Sequence, residues 1–249
     1  MSSKKYVARS RVWFGILLFV LLTTYYLLPT AISHAQEVDI LWQGDVYTPP
    51  FYEGRALWTN QSEITILAVP HIPGPNGEIN PAGLTYKWWR NSTVLGTANG
   101  VGKNSITFTG SIIDRPQIIK IEILNSDGAL LASASREFSP VAPGLLVYEN
   151  NPLYGIIFNK EVGSSYKMTG SEITLVAIPL FFSSLERGPE FLKYSWRTNA
   201  GKTETTNSVT YRSPENTSGS ARISVRVSNE DRITQSSERN FLLNFNENQ

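Results

Sequence analysis

The chain repeats itself, and the repeat limits what it can fold into more than any other feature. Ser62-Glu63-Ile64-Thr65-Ile66-Leu67-Ala68-Val69-Pro70 returns as Ser171-Glu172-Ile173-Thr174-Leu175-Val176-Ala177-Ile178-Pro179. Leu84-Thr85-Tyr86-Lys87-Trp88-Trp89-Arg90-Asn91 returns as Leu192-Lys193-Tyr194-Ser195-Trp196-Arg197-Thr198-Asn199. Asn104-Ser105-Ile106-Thr107-Phe108 returns as Asn207-Ser208-Val209-Thr210-Tyr211, and Ile119-Lys120-Ile121-Glu122-Ile123 returns within Arg222-Ile223-Ser224-Val225-Arg226-Val227. The four segments keep their order at offsets of 109, 108, 103 and 104 residues. That regularity marks a duplicated structural unit.

Each copy reads as all-β. Its segments are short, rich in Val, Ile, Thr, Tyr and Trp, and separated by Gly, Pro, Asn and Ser clusters. Ile119, Ile121 and Ile123 alternate with Lys120 and Glu122, as Ile223, Val225 and Val227 do with Ser224 and Arg226. Such alternation predicts one face on a core and one in water. Asn125-Ser126-Asp127-Gly128 supplies hairpin chemistry, because Asp-Gly tolerates the positive φ of a tight turn. Asn229-Glu230-Asp231 takes its place in the second copy. Beyond Pro29 no segment keeps a helical period over a useful length. Ser139-Pro140-Val141-Ala142-Pro143-Gly144 joins the copies and reads as a short, semi-rigid linker.

These residues resemble bacterial Ig-like or PKD-like repeats: a Tyr-x-Trp strand, a Ser-x-Thr-x-aromatic strand, and an alternating strand leading to a hairpin. The resemblance covers residues 62–138 and 171–241, and less of the leading segments 38–61 and 145–170. It implies two tandem Ig-like β-sandwich domains with Trp88 and Trp196 on the C strands, filling the space between sheets. Tyr86 and Tyr194 share that face by the period of two, so Tyr86, Trp88, Tyr194 and Trp196 are the expected structural core. The sequence departs from the pattern in three places. It has no cysteine for an inter-sheet disulfide, Ile118 and Ala221 stand where a tyrosine corner would fall, and no Gly-Asp-Gly follows either tryptophan.

The N-terminus has a different composition. Lys4, Lys5, Arg9 and Arg11 precede an uncharged span from Val12 to Gln36, apolar through Leu28 and broken by Pro29. This reads as a hydrophobic helix within residues 1–35, a secretory signal peptide with cleavage after Ala35. Its length also suits an uncleaved anchor, since about 20 apolar residues span a bilayer. Either way the basic end stays cytoplasmic and the rest is exported. The remaining 214 residues carry 18 basic and 21 acidic side chains, a balance too even for nucleic acid or a polyanion. At about 100–150 residues per domain they divide into two, 36–140 and 141–249.

Candidate sites are few. The absence of Cys and the presence of only His34 and His71 remove thiolate metal sites, cysteine nucleophiles and histidine-rich centres. His71 lies near no serine nucleophile motif and reads as a loop residue between Pro70 and Pro73. Asp45, Glu53, Glu63 and Glu78 are scattered, and Glu63 recurs as Glu172, which favours a structural role. Asp127 with Asn125 offers oxygen ligands to calcium, but the hairpin turn accounts for both more simply. Trp89 is the best ligand-binding candidate: it should face away from the Trp88 side, and Arg197 replaces it in the second copy. The alternative is that the leading segment covers it. That segment, with Trp42, Tyr47, Phe51, Tyr52 and Trp58, is itself either a binding loop or an edge strand packed on its own domain.

The sequence thus predicts a non-enzymatic protein of the cell surface or envelope, with no cofactor and no metal, whose domains mediate protein interaction, adhesion or spacing. The expected partners are envelope or surface proteins, with the membrane through residues 12–32 if that segment is retained, and no nucleic acid. A carbohydrate-binding module using Trp89, Trp42, Tyr52 and Trp58 on glycans is the alternative, and an envelope hydrolase is a distant second.

Overall fold

The computed structural model describes residues 37–245, apart from Asp114, Lys202 and Asn216. The expected leader helix of residues 1–35 lies outside the described residues. The first copy contains β1 (Glu37–Asp45), β2 (Glu63–His71), β3 (Pro73–Gly74), β4 (Gly77–Glu78), β5 (Thr85–Arg90), β6 (Thr93–Val94), β7 (Gly100–Val101), β8 (Ser105–Thr109), β9 (Gln117–Leu124) and β10 (Leu130–Phe138). The second contains β11 (Gly144–Asn151), β12 (Gly155–Glu161), β13 (Ser165–Lys167), β14 (Glu172–Leu180), β15 (Lys193–Thr198), β16 (Thr203–Glu204), β17 (Ser208–Arg212), β18 (Gly219–Ser228) and β19 (Ser236–Phe245). Only two short 3-10 turns interrupt the strands among the described residues, at Pro81–Gly83 and Gly96–Ala98.

In the first sandwich β1-β2-β8 faces β10-β9-β5-β6, with β7 also on β5. In the second, β12-β11-β14-β17 faces β13-β19-β18-β15-β16. This is the Ig-like division of strands, A-B-E against G-F-C, made twice. Alternation gives each sheet its buried face. Ile64, Ile66 and Ala68 of β2 meet Ile119, Ile121 and Ile123 of β9 in one core. Ile173, Leu175 and Ala177 of β14 meet Ile223, Val225 and Val227 of β18 in the other. Tyr86, Trp88, Tyr194 and Trp196 are all buried.

A buried indole or phenol needs a partner for its polar atom, and the two copies solve this alike. Trp88 Nε1 donates to the Lys103 carbonyl at 2.9 Å, and Trp196 Nε1 to the Thr206 carbonyl at 2.9 Å. The Tyr86 hydroxyl donates to Pro81 O at 3.0 Å, and the Tyr194 hydroxyl to Arg187 O at 2.6 Å. Each central strand therefore fixes the loops before and after it. These bonds add to packing where a disulfide would otherwise cross-link the sheets.

The copies differ between their first and second long strands. In the second copy this segment folds back as β12 and β13, and β13 pairs parallel with β19. In the first copy, residues 46–62 cross towards the other sandwich and keep only one parallel bridge, Thr59 to Val141. The crossing begins where the chain lies hard against β1. A Cβ on Gly44 would stand 2.8 Å from the Leu57 carbonyl, too close for any other residue without a shift. The Gly44 N–H donates to Ala56 O at 2.8 Å across the same contact.

Two expectations change. Val141 in the Pro-rich join donates its N–H to Trp58 O at 2.8 Å, so the join is pinned to the crossing segment. His71 is the last residue of β2 rather than a loop residue, because β1 extends far enough to pair Glu37 with it.

Candidate functional site

The crossing segment builds the junction between the sandwiches. Tyr47 exchanges backbone bonds with the other copy: its N–H donates to Phe182 O at 2.7 Å, and its carbonyl accepts from Phe181 N–H at 2.9 Å. Phe51 lies on the outer face of the β11–β12 hairpin, its ring 5.8 Å from Tyr148 and 4.3 Å from Phe158. Tyr52 meets Phe181 edge-on at 5.3 Å. The aromatic segment is therefore neither a free loop nor packed solely on its own domain. It is a strap across the junction.

Gln235 closes this junction from the other side and is 1% exposed. Its Oε1 accepts the Ser183 N–H at 2.7 Å. Its Nε2 donates to Asn60 O at 2.8 Å, Ser183 Oγ at 2.9 Å and Thr59 Oγ1 at 3.2 Å. Gln61 adds a second tie, its Oε1 accepting from both the N–H and hydroxyl of Thr234. Gln61 and Phe181 adopt positive φ, 60° and 61°, a conformation that costs L-residues energy and persists where surroundings impose it. Both lie at this junction. A buried amide such as that of Gln235, with its oxygen and its nitrogen both engaged, fixes geometry, because displacement orphans polar atoms.

Beside the junction opens a cleft of about 420 Å³ lined by residues of both copies, among them Asp45, Glu63, Glu190, Asp231 and Arg232. The repeat explains part of its charge. In the second copy Glu172 faces Arg212 across the ladder and is ion-paired with it. In the first copy the equivalent Glu63 faces Thr109, and among the described residues no lysine or arginine is ion-paired with it. Among the described residues the one histidine, His71, lies at the other end of β2 from Glu63. Asn125 Oδ1 accepts from the N–H groups of Asp127 and Ala129 at 3.0 and 2.7 Å, with Gly128 at φ 80°. Those bonds make the hairpin turn and occupy the oxygen considered for calcium. Among the described residues no group of three His, Asp or Glu side chains is placed to hold a metal.

Trp89 lies on the outer face of β5, away from Trp88, and is half-buried. The residues that line the groove beside it all lie outside residues 46–62. Lys87 Nζ stands 4.7 Å and Lys120 Nζ 5.7 Å from its ring centre, at cation–π distance. Both lysines pair with Glu122, at 3.8 and 2.7 Å. Lys120 above all, with Lys87, holds the Glu122 carboxyl below its ordinary value. Trp89, Ser92, Ile118, Lys120 and Ser135 line a groove of about 330 Å³.

The other aromatic candidates lie elsewhere. Trp42 packs edge-on against Phe138 at 5.6 Å with Arg55 4.8 Å above its ring. Trp58 is 2% exposed, inside the first core and edge-on to Phe108 at 5.8 Å. Its ring is therefore unavailable to a ligand, which corrects the expectation for that residue. Trp42, Tyr52, Trp58 and Trp89 do not converge on one surface. The sequence offered no cue to Gln235 or Ser183, whose importance comes only from tertiary contact.

No protein-family model matches the chain, and no curated protein matches it. Similar solved structures include fibronectin(III)-like modules of Clostridium thermocellum CbhA, at 14% identity and TM-score 0.31, covering 84% of this chain and 93% of that one. Immunoglobulin domains 1–5 of Sidekick-1 are 14% identical with TM-score 0.28, over 86% of this chain and 40% of that one. SGBP-B of a Bacteroides ovatus mixed-linkage glucan utilization locus, in complex with a mixed-linkage heptasaccharide, is 10% identical with TM-score 0.22, over 84% and 70%. The Ig-like fold shows in this chain's own strand order, registers and cores.

Proposed function

We propose that the chain is an exported, non-enzymatic surface or envelope protein whose two Ig-like sandwiches act as one stiff module for protein interaction or spacing. The observation that carries this reading is the junction. A strap of one copy and a buried amide of the other tie the sandwiches, and a spacer needs a fixed relation between its parts. The basic, apolar N-terminal sequence supports export, and the resemblance to bacterial Ig-like and PKD-like repeats supports a place in the envelope. Sheets held by backbone bonds leave loops and edges free for partners. The carbohydrate reading has less support, because lysines stand over Trp89 and the aromatics do not converge.

The absence of native cysteine makes a direct test simple. Nitroxides on Ser126→Cys and Leu153→Cys, one exposed site in each sandwich, should give one narrow distance distribution. In the source cells, an epitope-tagged chain should be accessible to an impermeant label and cross-link to envelope proteins. A broad distribution overturns the stiff module. Recovery of the tagged chain in the cytosol overturns the surface assignment.

A further inference from the structure

At the end of the first sandwich opposite the junction, three elements meet at His71. Its Nδ1 is 3.2 Å from Glu78 Oε1, and its Nε2 is 3.4 Å from Asp39 Oδ2. Asp39 belongs to β1, an edge strand whose one strand partner among the described residues is β2. Glu78 belongs to β4, in a hairpin closed at its base, just past the end of β2, by the Ile79 N–H on Ile72 O at 2.8 Å. Glu37 stands opposite His71 in the β1–β2 register. Asp39, Glu78 and Glu37 are thus the charged groups that face the ring from β1 and β4, and all are acidic. Among the described residues no lysine or arginine pairs with any of them.

The chemistry of this arrangement is restrictive. A carboxylate only accepts hydrogen bonds, and a neutral imidazole has one N–H. Both carboxylates can be held together only when both ring nitrogens carry protons. After one proton leaves to solvent, one nitrogen presents a lone pair to a carboxylate oxygen, and that contact must open. The ring also separates the two acids onto opposite nitrogens, so all three side chains cannot close on one cation.

We propose that His71 is a proton-gated clasp that fastens the start of edge strand β1 to the β3–β4 hairpin. In its protonated form it bridges Asp39 and Glu78. In its neutral form it keeps the hydrogen bond to Glu78 and releases Asp39, the longer of the two contacts. Released, the first residues of β1 are held by their ladder with β2 and by the burial of Val38 in the first core. The clasp therefore sets how firmly the chain is fastened as it enters the sandwich. This goes beyond a role in spacing and does not depend on it.

The acids raise the imidazole pKa above its ordinary 6.5, chiefly through the Glu78 hydrogen bond. The sign follows by linkage. A group whose folded pKa is raised contributes its full stabilisation below the unfolded value, and loses it as pH rises through the folded value. The clasp is closed in acid and opens as pH rises through the raised imidazole pKa. Its groups are solvent-exposed, so salt weakens it.

The test is an NMR titration of the full chain labelled at histidine and on backbone amides, from pH 5 to 9. His71→Gln identifies which of the two histidine signals belongs to His71. The expected His71 midpoint lies above 6.5 and falls at high salt. The amides of Val38, Asp39 and Ile40 should move with the same midpoint, and their exchange protection should drop above it. Asp39→Asn and Glu78→Gln should each lower the midpoint, and His71→Gln should remove the pH dependence of β1 protection. If His71→Gln fails to fold, the wild-type titration and Asp39→Asn still decide the matter. A midpoint at or below 6.5, or β1 amides indifferent to the His71 transition, overturns the clasp. Failure of the spacer reading would leave this titration unchanged.

Discussion

Gln235 and Ser183 bind each other in both directions: the Ser183 N–H donates to the amide oxygen, and the amide nitrogen donates back to the Ser183 hydroxyl. The same nitrogen then reaches across the junction to Asn60 O and Thr59 Oγ1. One side chain thus both shapes its own loop and grips the neighbouring sandwich. Gln235→Ala should orphan the Ser183 N–H and the Asn60 carbonyl in a buried place. A loss of about 2–4 kcal/mol is expected, from two unsatisfied groups at about 1–3 kcal/mol each. Urea unfolding checks it, and the spin-label distance distribution should broaden in the same variant.

Phe51 contributes to the junction through apolar area rather than hydrogen bonds. Phe51→Ala should remove its contacts with Tyr148 and Phe158 and cost about 2 kcal/mol, below the full-core range because the ring is half-buried. Limited proteolysis should show new cleavage within residues 46–57, while cleavage in the β5–β9 region stays unchanged.

Trp88 and Trp89 are chain neighbours with opposite surroundings. Trp88→Ala should cost about 3–5 kcal/mol, the range for a large buried aromatic, and orphan the Lys103 carbonyl. Trp89→Ala should cost about 1 kcal/mol, since it removes outer-face packing and cation–π contact without opening the core. Comparing denaturation midpoints of the two variants checks the ranking. A glycan array on Trp89→Ala also tests the carbohydrate alternative, which requires that a wild-type signal be lost.

Glu122 gives a prediction in acid. Lys120, the nearest cation, holds its carboxyl below the ordinary 4.5. A depressed carboxylate contributes stability above its unfolded pKa and loses it as pH falls through the folded value. Wild type should therefore lose stability below about pH 4.5 more steeply than Glu122→Gln, and thermal melts between pH 3 and 6 read the difference. The surface pair Glu172–Arg212 should behave otherwise. Arg212→Ala should change stability by less than about 1 kcal/mol at neutral pH, because both groups are exposed and water competes for them.

The cores were legible in the sequence because burial imposes a period. Ile119, Ile121 and Ile123 announce their face by alternation, and the repeat carries the same face to Ile223, Val225 and Val227. The aromatic leading segment was visible, but its destination was not. Phe51 and Tyr52 meet Tyr148, Phe158 and Phe181, residues roughly 100 positions or more away, and no local pattern encodes such a partner. Gln235 sits in a polar turn whose composition predicts exposure, and only the convergence of Ser183, Thr59 and Asn60 makes burial affordable. His71 was read through its flanking prolines, whereas the length of β1 decides its place.

The different uses of one segment in the two copies have a consequence for growth by duplication. Residues 46–62 of the first copy reach out to a neighbour, whereas their counterparts in the second fold back as β12 and β13 onto their own sheets. The joint has a donor and an acceptor, and the second copy has spent its donor on itself. A third unit appended after Phe245 would find no arm to receive it. The joint is therefore directional, running from the first copy's segment to the second copy's loops, and exchanging the order of the copies should leave them unjoined.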